Sequence, residues 1–246
     1  MSFEINENNF RKTYKIQNNA DKVIKNFKIN LPYRPNLKTV YIVSFLTFDG
    51  HLTPNKKMFL FTAGNTKNLR KAIQFTKEEF RVTGKLKKVE TNRLGTSYEY
   101  RICSIPIGRI LSLLGTPDGN KVLKKFSVPK WIKESHEFSK MYVKTAFECE
   151  GSCWKEKDGR TRIAFRLNKE QSIIEDAFNF MNDIKKMLET NGIKTTDVWQ
   201  TDTNVRIDGF VTKGVQFRIK SESNDDFINY FNFNKTWGRK SRGTNV

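Results

Sequence analysis

The chain has 246 residues, of which 37% are hydrophobic, and its 20 phenylalanines can fill the core of one large domain or two smaller ones. Lys and Arg number 45 against 26 Asp and Glu, so the formal net charge of +19 favours a polyanion such as nucleic acid as partner. No run of about 18 apolar residues and no secretion signal is found. We therefore expect no membrane partner, and a location in the cytoplasm, at the nucleoid or in an organelle matrix.

A helix that ends in an acid and a glycine is predicted in the first third of the chain. Asn36, just after Pro35, is a good N-cap, and the segment 41–52 reads YIVSFLTFDGHL. Its acid is Asp49, and a carboxylate at a helix C-terminus lies against the negative end of the helix dipole. Gly50 suits the left-handed conformation that commonly closes a helix. The unfavourable position of the acid indicates a functional role.

The segments after this motif alternate between strand and helix patterns. A strand pair around NKKMFLFTA is followed by the helical stretch TKNLRKAIQFTKEEF, strands near 85–91 and 97–104, and a helix near 105–115. Residues 1–116 are therefore predicted to form one repeat. Residues 117–138 are rich in Gly and Pro and are predicted to form a connector.

The acidic motif returns about 100 residues later, in the segment 142–153, YVKTAFECEGSC. Glu150 and Gly151 take the places of the first acid and glycine, and Ser135 or Ser139 can cap the helix. Strands around SCWKEK and RTRIAFRLN, a long helix 169–191, strands near 197–203 and 211–221, and a helix near 224–231 follow. Residues 139–246 thus repeat the order α-β-β-α-β-β-α, which predicts an internal duplication.

Polar and apolar side chains alternate along the predicted strands, so each strand has one face of each kind. A solvated antiparallel sheet has the same pattern, but two such sheets and the high positive charge favour double-stranded DNA as partner. The polar residues predicted to contact DNA are Lys57, Lys87, Arg101, Lys155, Arg160, Arg162, Arg166, Lys213, Gln216, Arg218 and Lys220.

The segments 42–50, IVSFLTFDG, and 143–151, VKTAFECEG, resemble the two motifs of the single-chain LAGLIDADG homing endonucleases. The connector is also similar to the segment between their repeats, and the resemblance extends over residues 38–240. It implies an α+β fold in which two pseudo-twofold related α-β-β-α-β-β-α repeats form a saddle of two antiparallel sheets. It also implies a monomer that cleaves both strands of a long asymmetric DNA target.

The resemblance implies that Asp49 and Glu150 are the catalytic acids and that they hold a divalent metal, with Gly50 and Gly151 beside them. Hard cations prefer oxygen ligands, so the expected metal is Mg²⁺ or Mn²⁺, and Ca²⁺ is expected to support DNA binding without cleavage. The small-residue positions of the motif helices hold Ser44 in the first motif and Thr145 and Cys149 in the second, whereas Phe48 departs from the pattern. Ser44 and Thr145 could also be simple helix surface.

Members of this family also carry a basic residue at each active site. Lys121 of the GNK sequence occupies that place in the connector, and Lys235, with Lys240 as second choice, is the candidate for the other site. For the second half, a phosphate or solvent contact is an equal alternative. His51 is left without a role.

Two other functions stay open on the same fold, namely an RNA maturase that assists intron splicing, with intron RNA as partner, and a DNA-binding protein that does not cleave. Loss of one acid would favour them, and both acids are present. Protein-splicing residues are not found at the two ends, so we expect a free-standing or intron-encoded enzyme.

Overall fold

The computed structural model describes residues 3–26, 30–91 and 95–233. The chain divides into two compact units, of which the first comprises Met1–Gly119 and Pro129–Phe138 and the second Asn120–Val128 and Ser139–Val246. The predicted connector 117–138 is thus shared between the units, because its middle part packs with the second unit. In the part of the chain that is described, no helix is both long and apolar enough to cross a membrane.

The first unit contains a four-stranded antiparallel sheet with the strand order β1-β2-β4-β3. Phe59 and Phe61 of β2 and Tyr100 and Ile102 of β4 form its buried face, against which helices pack. The elements are α1 (Glu7–Arg11), α2 (Gln17–Asn26), α3 (Leu37–Phe48), β1 (Gly50–Leu52), β2 (Met58–Ala63), α4 (Thr66–Phe80), β3 (Lys85–Thr91), β4 (Gly95–Cys103), α5 (Ile105–Leu113) and, after a stretch that packs with the second unit, α6 (Lys130–Lys133).

The helix signals read from the sequence of this unit are confirmed. Asn36 caps α3, because its side chain accepts hydrogen bonds from the backbone amides of Lys38 (2.9 Å) and Thr39 (3.2 Å). The helix α4 has the predicted bounds and ends at Arg81 in the left-handed conformation. The helices α1 and α2, which precede the repeat, were not predicted.

The second unit repeats this arrangement, with the strand order β5-β6-β8-β7. Its core contains Phe147 of the motif helix, Phe165 and Phe217 of the sheet and Phe227 of the last helix, with Phe147 and Phe227 ring centroids 4.7 Å apart. The elements are a 3₁₀ turn (Lys121–Leu123), α7 (His136–Glu150), whose first turn belongs to the first unit, β5 (Gly151–Lys155), β6 (Thr161–Glu170), α8 (Ile174–Glu189), β7 (Trp199–Val205), β8 (Val211–Arg218) and α9 (Asn224–Phe231).

Two details of the second unit differ from or refine the prediction. Ser135 rather than Ser139 caps α7, because the Ser135 hydroxyl accepts from the Phe138 amide at 3.4 Å. The long helix predicted at 169–191 begins only at Ile174, since β6 continues to Glu170 and a 3₁₀ turn follows. The ladder between β6 and β8 extends through Glu170, whose carboxylate accepts from the Ser172 amide at 3.1 Å and starts the turn.

The left-handed conformation predicted for Gly50 and Gly151 is wrong. Neither has a positive φ, and each is the first residue of a strand. The reason for glycine is steric, since an added Cβ would lie 2.7 Å from the Leu60 carbonyl oxygen at Gly50 and 2.4 Å from the Phe147 carbonyl oxygen at Gly151. In both units, therefore, the chain passes directly from the last helical turn into the sheet, and the acid lies at that junction.

Candidate nucleic-acid interface

The two predicted catalytic acids occupy the same place in their units. Asp49 is the C-cap of α3, with φ −96° and ψ 16°, and its carbonyl oxygen accepts from the Thr62 amide at 2.9 Å. Glu150 is the last residue of α7. Both acids are half-buried, and each is followed by the closely packed glycine of a strand start. The backbone on either side of each acid is thus held by helix and sheet.

Two of the three small residues of the motif helices, Ser44 and Thr145, are buried, whereas Cys149 is partly exposed. Ser44 and Thr145 have no exposed surface, which excludes the interpretation that they are simple helix surface. The Thr145 hydroxyl donates to the Met141 carbonyl at 2.9 Å, and the Thr47 hydroxyl donates to the Val43 carbonyl at 2.8 Å. Phe48, the large residue that departs from the small-residue pattern, is also buried.

The polar face of the first sheet carries a row of basic residues across β3 and β4. The register pairs Lys85 with Arg101 and Lys87 with Glu99, which places these four side chains on the face opposite Tyr100. The Arg101 guanidinium donates to the Glu99 carboxylate at 2.7 Å, and this pair leaves the two lysines as the exposed positive charges of the row. Lys87 and Arg101 were predicted to contact DNA, whereas Lys85 was not.

The polar face of the second sheet is formed by Arg162, Arg166, Gln216 and Arg218. Arg166 and Gln216 are direct cross-strand partners, and Arg218 pairs with Ala164 between the two arginines of β6. The four polar residues were predicted to share a face, and the strand register confirms that they do.

The arginines of this face are positioned by neighbouring side chains. Arg162 lies 2.9 Å from the Glu156 carboxylate, which holds the pKa of that carboxyl below its usual range, and donates to the Ser221 hydroxyl at 2.9 Å. Arg166 lies across Gly214, where an added Cβ would approach its guanidinium to 2.7 Å. Glycine at this position thus makes room for the guanidinium on the sheet surface.

Two tryptophans on the same face were missed by the sequence analysis. Trp154 pairs with Arg162 and Trp199 with Gln216, and the Arg218 guanidinium lies 5.8 Å from the first ring and 5.4 Å from the second. An arginine near an aromatic ring gains a cation–π interaction that orients it. The signal in the sequence is the spacing in β5, where Ser152 and Trp154 are two residues apart and therefore lie on the same face of the strand.

The other residues predicted to contact DNA lie elsewhere. Lys155 pairs with Thr161, and Lys213 pairs with Lys169, in the rows that contain the buried Ile163 and Phe165, so both belong to the helix-covered face. They were assigned by charge without regard to strand parity. Lys57, Arg160 and Lys220 lie in connections just outside the strands, and Lys235 and Lys240 lie outside the described residues.

Lys121 begins the 3₁₀ turn, and a lysine that the sequence analysis missed holds this turn in place. Lys169 of β6 is 4% exposed, and its ammonium donates to the carbonyl oxygens of Lys121 and, at 2.9 Å, Lys124. It also lies 3.6 Å from the centre of the Phe126 ring. Burial, together with the nearby charge of Lys121, lowers the pKa of Lys169 to about 7. A lysine on the helix-covered face therefore anchors the segment that contains Lys121.

The donor set of each unit fits a metal that is shared with a substrate. The described residues contain no group of three or more His, Cys, Asp or Glu side chains arranged to hold an ion. Mg²⁺ usually keeps several waters and binds through one or two carboxylates plus substrate phosphates. A half-buried carboxylate at the end of each motif helix, Asp49 or Glu150, matches that mode of binding and not a metal cage made of protein alone.

No family model matches the chain. It is 30% identical over 169 residues to a tRNA-splicing ligase RtcB of Methanopyrus kandleri, a match of 63% of this chain and 17% of the ligase. It is 32% identical over 123 residues to the DNA-directed RNA polymerase subunit Rpo1N of Methanocaldococcus jannaschii, a match of 48% of this chain and 9% of that subunit. The chain therefore spans less than a fifth of the length of these curated relatives.

Among solved structures, the chain is similar to the homing endonuclease I-WcaI bound to its DNA recognition sequence. The TM-score is 0.53 with 12% sequence identity, and the match covers 91% of this chain and 92% of that one. At this identity the comparison concerns the fold. Together with the repeated strand order in the two units, it shows that the chain has the two-repeat LAGLIDADG homing-endonuclease-like fold that its motifs predict.

Proposed function

We propose that this protein is a site-specific endonuclease that cleaves both strands of a long asymmetric DNA target and depends on a divalent metal. The observation that carries the proposal is the acid at the helix–strand junction, which occurs once in each unit at the equivalent position. Two phosphodiesters must be hydrolysed to break a duplex, and two equivalent carboxylates meet that requirement within one chain. We therefore also propose that the protein acts as a monomer.

The polar faces of the two sheets are the proposed DNA-binding surfaces. The DNA major groove is wide enough to admit a two-stranded β-ribbon. The cations that such strands present here are Arg162, Arg166 and Arg218 on the second sheet and Lys85 and Lys87 on the first. Arginine forms bidentate hydrogen bonds with guanine edges, so the arginines of β6 and β8 are suited to read sequence, whereas Gln216 is only 9% exposed. Lysines in connections, such as Lys57 and Lys220, are suited to phosphate contacts.

The acids Asp49 and Glu150 are proposed to hold Mg²⁺ or Mn²⁺ together with the phosphates to be cleaved. Held there by Asp49 or Glu150, such a metal would supply Lewis acidity toward a bound water and positive charge for the phosphate and the leaving oxygen. The protein's own contribution is to fix each carboxylate between a capped helix and a strand. Lys121 is proposed to orient water or bind phosphate at one site, and Lys235 at the other. The proposed location is wherever the target DNA is, in the cytoplasm or an organelle matrix.

The activities of the curated relatives are not proposed for this chain. The matched stretches amount to 17% of a tRNA-splicing ligase and 9% of an RNA polymerase subunit, so most of each relative has no counterpart here. These two names describe different chemistries, and a segment similar to both is better explained by a function of its own.

The experiment that tests the proposal is cleavage of a randomised duplex library with Mg²⁺, with the ends sequenced. The expected result is a single family of sites, each cut on both strands at a fixed spacing, and no ends when Ca²⁺ replaces Mg²⁺. Specific retention of one sequence without any cleavage would instead support a DNA-binding protein that does not cleave. Selective retention of intron RNA over duplex DNA would support the maturase function.

A further inference from the structure

A cavity of about 890 Å³ lies in the first unit, where the N-terminal helices meet the end of the sheet, and Asp49 is not among its lining residues. The residue Tyr14 between α1 and α2, one side of α2, the ends of β2 and β4 and the start of α5 line it. Its walls are mostly apolar and include Val23, Met58, Ile105 and Pro106. A volume of this size lies in the range of about 300–1,000 Å³ typical of small-molecule sites.

Three buried polar atoms at this cavity have no hydrogen-bond partner among the described residues, namely Tyr14 Oη, Ser104 Oγ and Arg109 Nε. Tyr14 and Ser104 are each only 9% exposed. The Arg109 guanidinium lies 3.9 Å from the centre of the Tyr14 ring, and Ser104 begins the helix that carries Arg109. Buried polar groups are nearly always hydrogen-bonded to protein or to water, so unsatisfied ones in the wall of a cavity favour a polar ligand there.

The charge of the lining residues favours an anion as that molecule. Lys22, Lys57 and Arg109 are positively charged, and none of the described residues that line the cavity carries a carboxylate. Ser104 is the N-cap of α5, but its side chain makes no capping hydrogen bond, so the positive end of the helix dipole is uncovered there. Burial raises the pKa of Tyr14, which keeps its hydroxyl protonated and able to donate.

The cavity is held open by backbone contacts and not by mobile side chains. The Ser104 amide donates to the Lys57 carbonyl at 3.0 Å, which joins the start of α5 to the start of β2. An added Cβ at Gly108 would lie 2.2 Å from the Lys56 carbonyl oxygen, so α5 rests directly on the turn between β1 and β2. The positions of Ser104 and Arg109 are therefore fixed before any ligand binds, which favours binding because little ordering is required.

The cavity adjoins the proposed DNA-binding face of the first sheet. Met58 and Cys103 line it, and they are cross-strand partners in the row that continues to Leu60 and Arg101. The mostly apolar walls can contact a flat ring, and Lys22, Lys57 and Arg109 can bind one phosphate. A molecule that combines a ring and a phosphate therefore matches this cavity. Next to a face that binds DNA, the molecule with that chemistry is a nucleotide.

We propose that this cavity binds one nucleotide unit. Its phosphate accepts hydrogen bonds from Tyr14, Ser104 and Arg109, and its base packs on Val23 and Ile105. The choice of a nucleotide over other amphipathic anions rests on the proposed DNA-binding function. The cavity and its unsatisfied groups are observed independently of that function. A free nucleotide and a nucleotide of bound DNA offer the same chemistry, and the experiment distinguishes the two sources.

The test is calorimetric titration of the full chain with deoxyadenosine 5′-monophosphate, and with deoxyadenosine and inorganic phosphate separately. One saturable site for the nucleotide is expected, with weaker binding of each fragment. Tyr14→Phe and Ser104→Ala should each weaken binding about tenfold, as expected for a hydrogen bond to a charged group. Arg109→Gln should weaken it at least as much. Arg70→Gln, at an exposed position on α4, removes the same charge and should leave the affinity unchanged.

The melting temperature of the unliganded protein separates a binding role from a structural one. Because the Tyr14 and Ser104 hydroxyls have no partner to lose, Tyr14→Phe and Ser104→Ala should leave the melting temperature unchanged or raise it. The absence of a saturable nucleotide site would overturn the proposal. An affinity that is unchanged in Arg109→Gln and Tyr14→Phe, or an equal affinity for deoxyadenosine, would overturn it as well.

A competition arm identifies the source of the nucleotide. If saturating duplex DNA prevents titration with the nucleotide, the cavity takes a nucleotide of the bound DNA, and if the titration is unchanged, it takes a free one. Either result supports a nucleotide site. DNA affinity measured on the same variants reports on the proposed endonuclease function separately, so a failure of one proposal is not a failure of the other.

Discussion

At the scale of single residues, the glycine after each acid has a different role from the one its sequence context indicates. A glycine that follows a helix is most often left-handed. Gly50 and Gly151 instead begin strands, and each lies within contact distance of the residue four positions earlier in the helix, Leu46 or Phe147. This close approach depends on the angle at which the chain leaves the helix to enter the sheet and, at Gly50, also on the paired strand at Leu60, so the motif pattern could not predict it. The position of the two acids at the ends of their helices, by contrast, was predicted from sequence.

Replacement of either glycine by alanine should destabilise the protein. Gly50→Ala and Gly151→Ala place a methyl group against backbone atoms, and such overpacking typically costs about 1–3 kcal/mol. Gly64→Ala is the matched control, because its Cβ would meet nothing within 4 Å and its φ is not positive. The measurement is the free energy of unfolding from chemical denaturation, and equal stability of all three variants would contradict the packing described here.

At the scale of secondary-structure elements, the sequence predicts most of the architecture. The bounds of α4, β3 and α9 agree with those expected, because caps, turns and alternation are local signals. The end of β6 was misplaced, since its last residues are paired by a distant strand. The same limit explains Lys155 and Lys213, whose charge suggested DNA contact and whose face is decided by the register.

The strand register predicts which cations affect DNA binding. Arg166→Gln and Lys213→Gln each remove one positive charge from neighbouring strands of one sheet, but only Arg166 lies on the polar face. Arg166→Gln should therefore weaken DNA binding and, if a phosphate contact is lost, reduce the slope of log affinity against log salt concentration by about 1. Lys213→Gln should change neither. Equal effects of the two substitutions would show that overall charge, not the face, determines binding.

Lys169 predicts a pH dependence of stability. Its pKa is about 7 in the folded chain and 10.5 in the unfolded one, so above about pH 7 the unfolded state holds more protons. The free energy of unfolding should then rise with pH between about 7 and 10.5, by up to about 1.4 kcal/mol per pH unit. Lys169→Met should lack this contribution. The measurement is the difference in unfolding free energy between wild type and variant across that range, and a constant difference would contradict the assignment.

At the scale of the whole molecule, the internal repeat is the feature that sequence predicts best. Both units have the same strand order and the same acid–glycine junction, although their sequences have diverged. Repetition is visible in sequence because hydrophobic periodicity and motif spacing survive when individual residues change. The N-terminal helices have no counterpart in the motif pattern, and for that reason these helices, and the cavity that they form with β2, β4 and α5, were found only from the structure.

We propose that Asp49 and Glu150 act in DNA cleavage and do not merely shape the helix ends. The most direct measurement follows supercoiled plasmid carrying the selected target with Mg²⁺, for the variants Asp49→Asn and Glu150→Gln, with binding in Ca²⁺ checked by gel shift. Glu137→Gln, at the exposed start of α7, is the control for loss of one carboxylate from a motif helix. We expect normal binding by every variant and linear product only from wild type and the control. Linearisation at the wild-type rate by both amide variants would contradict it.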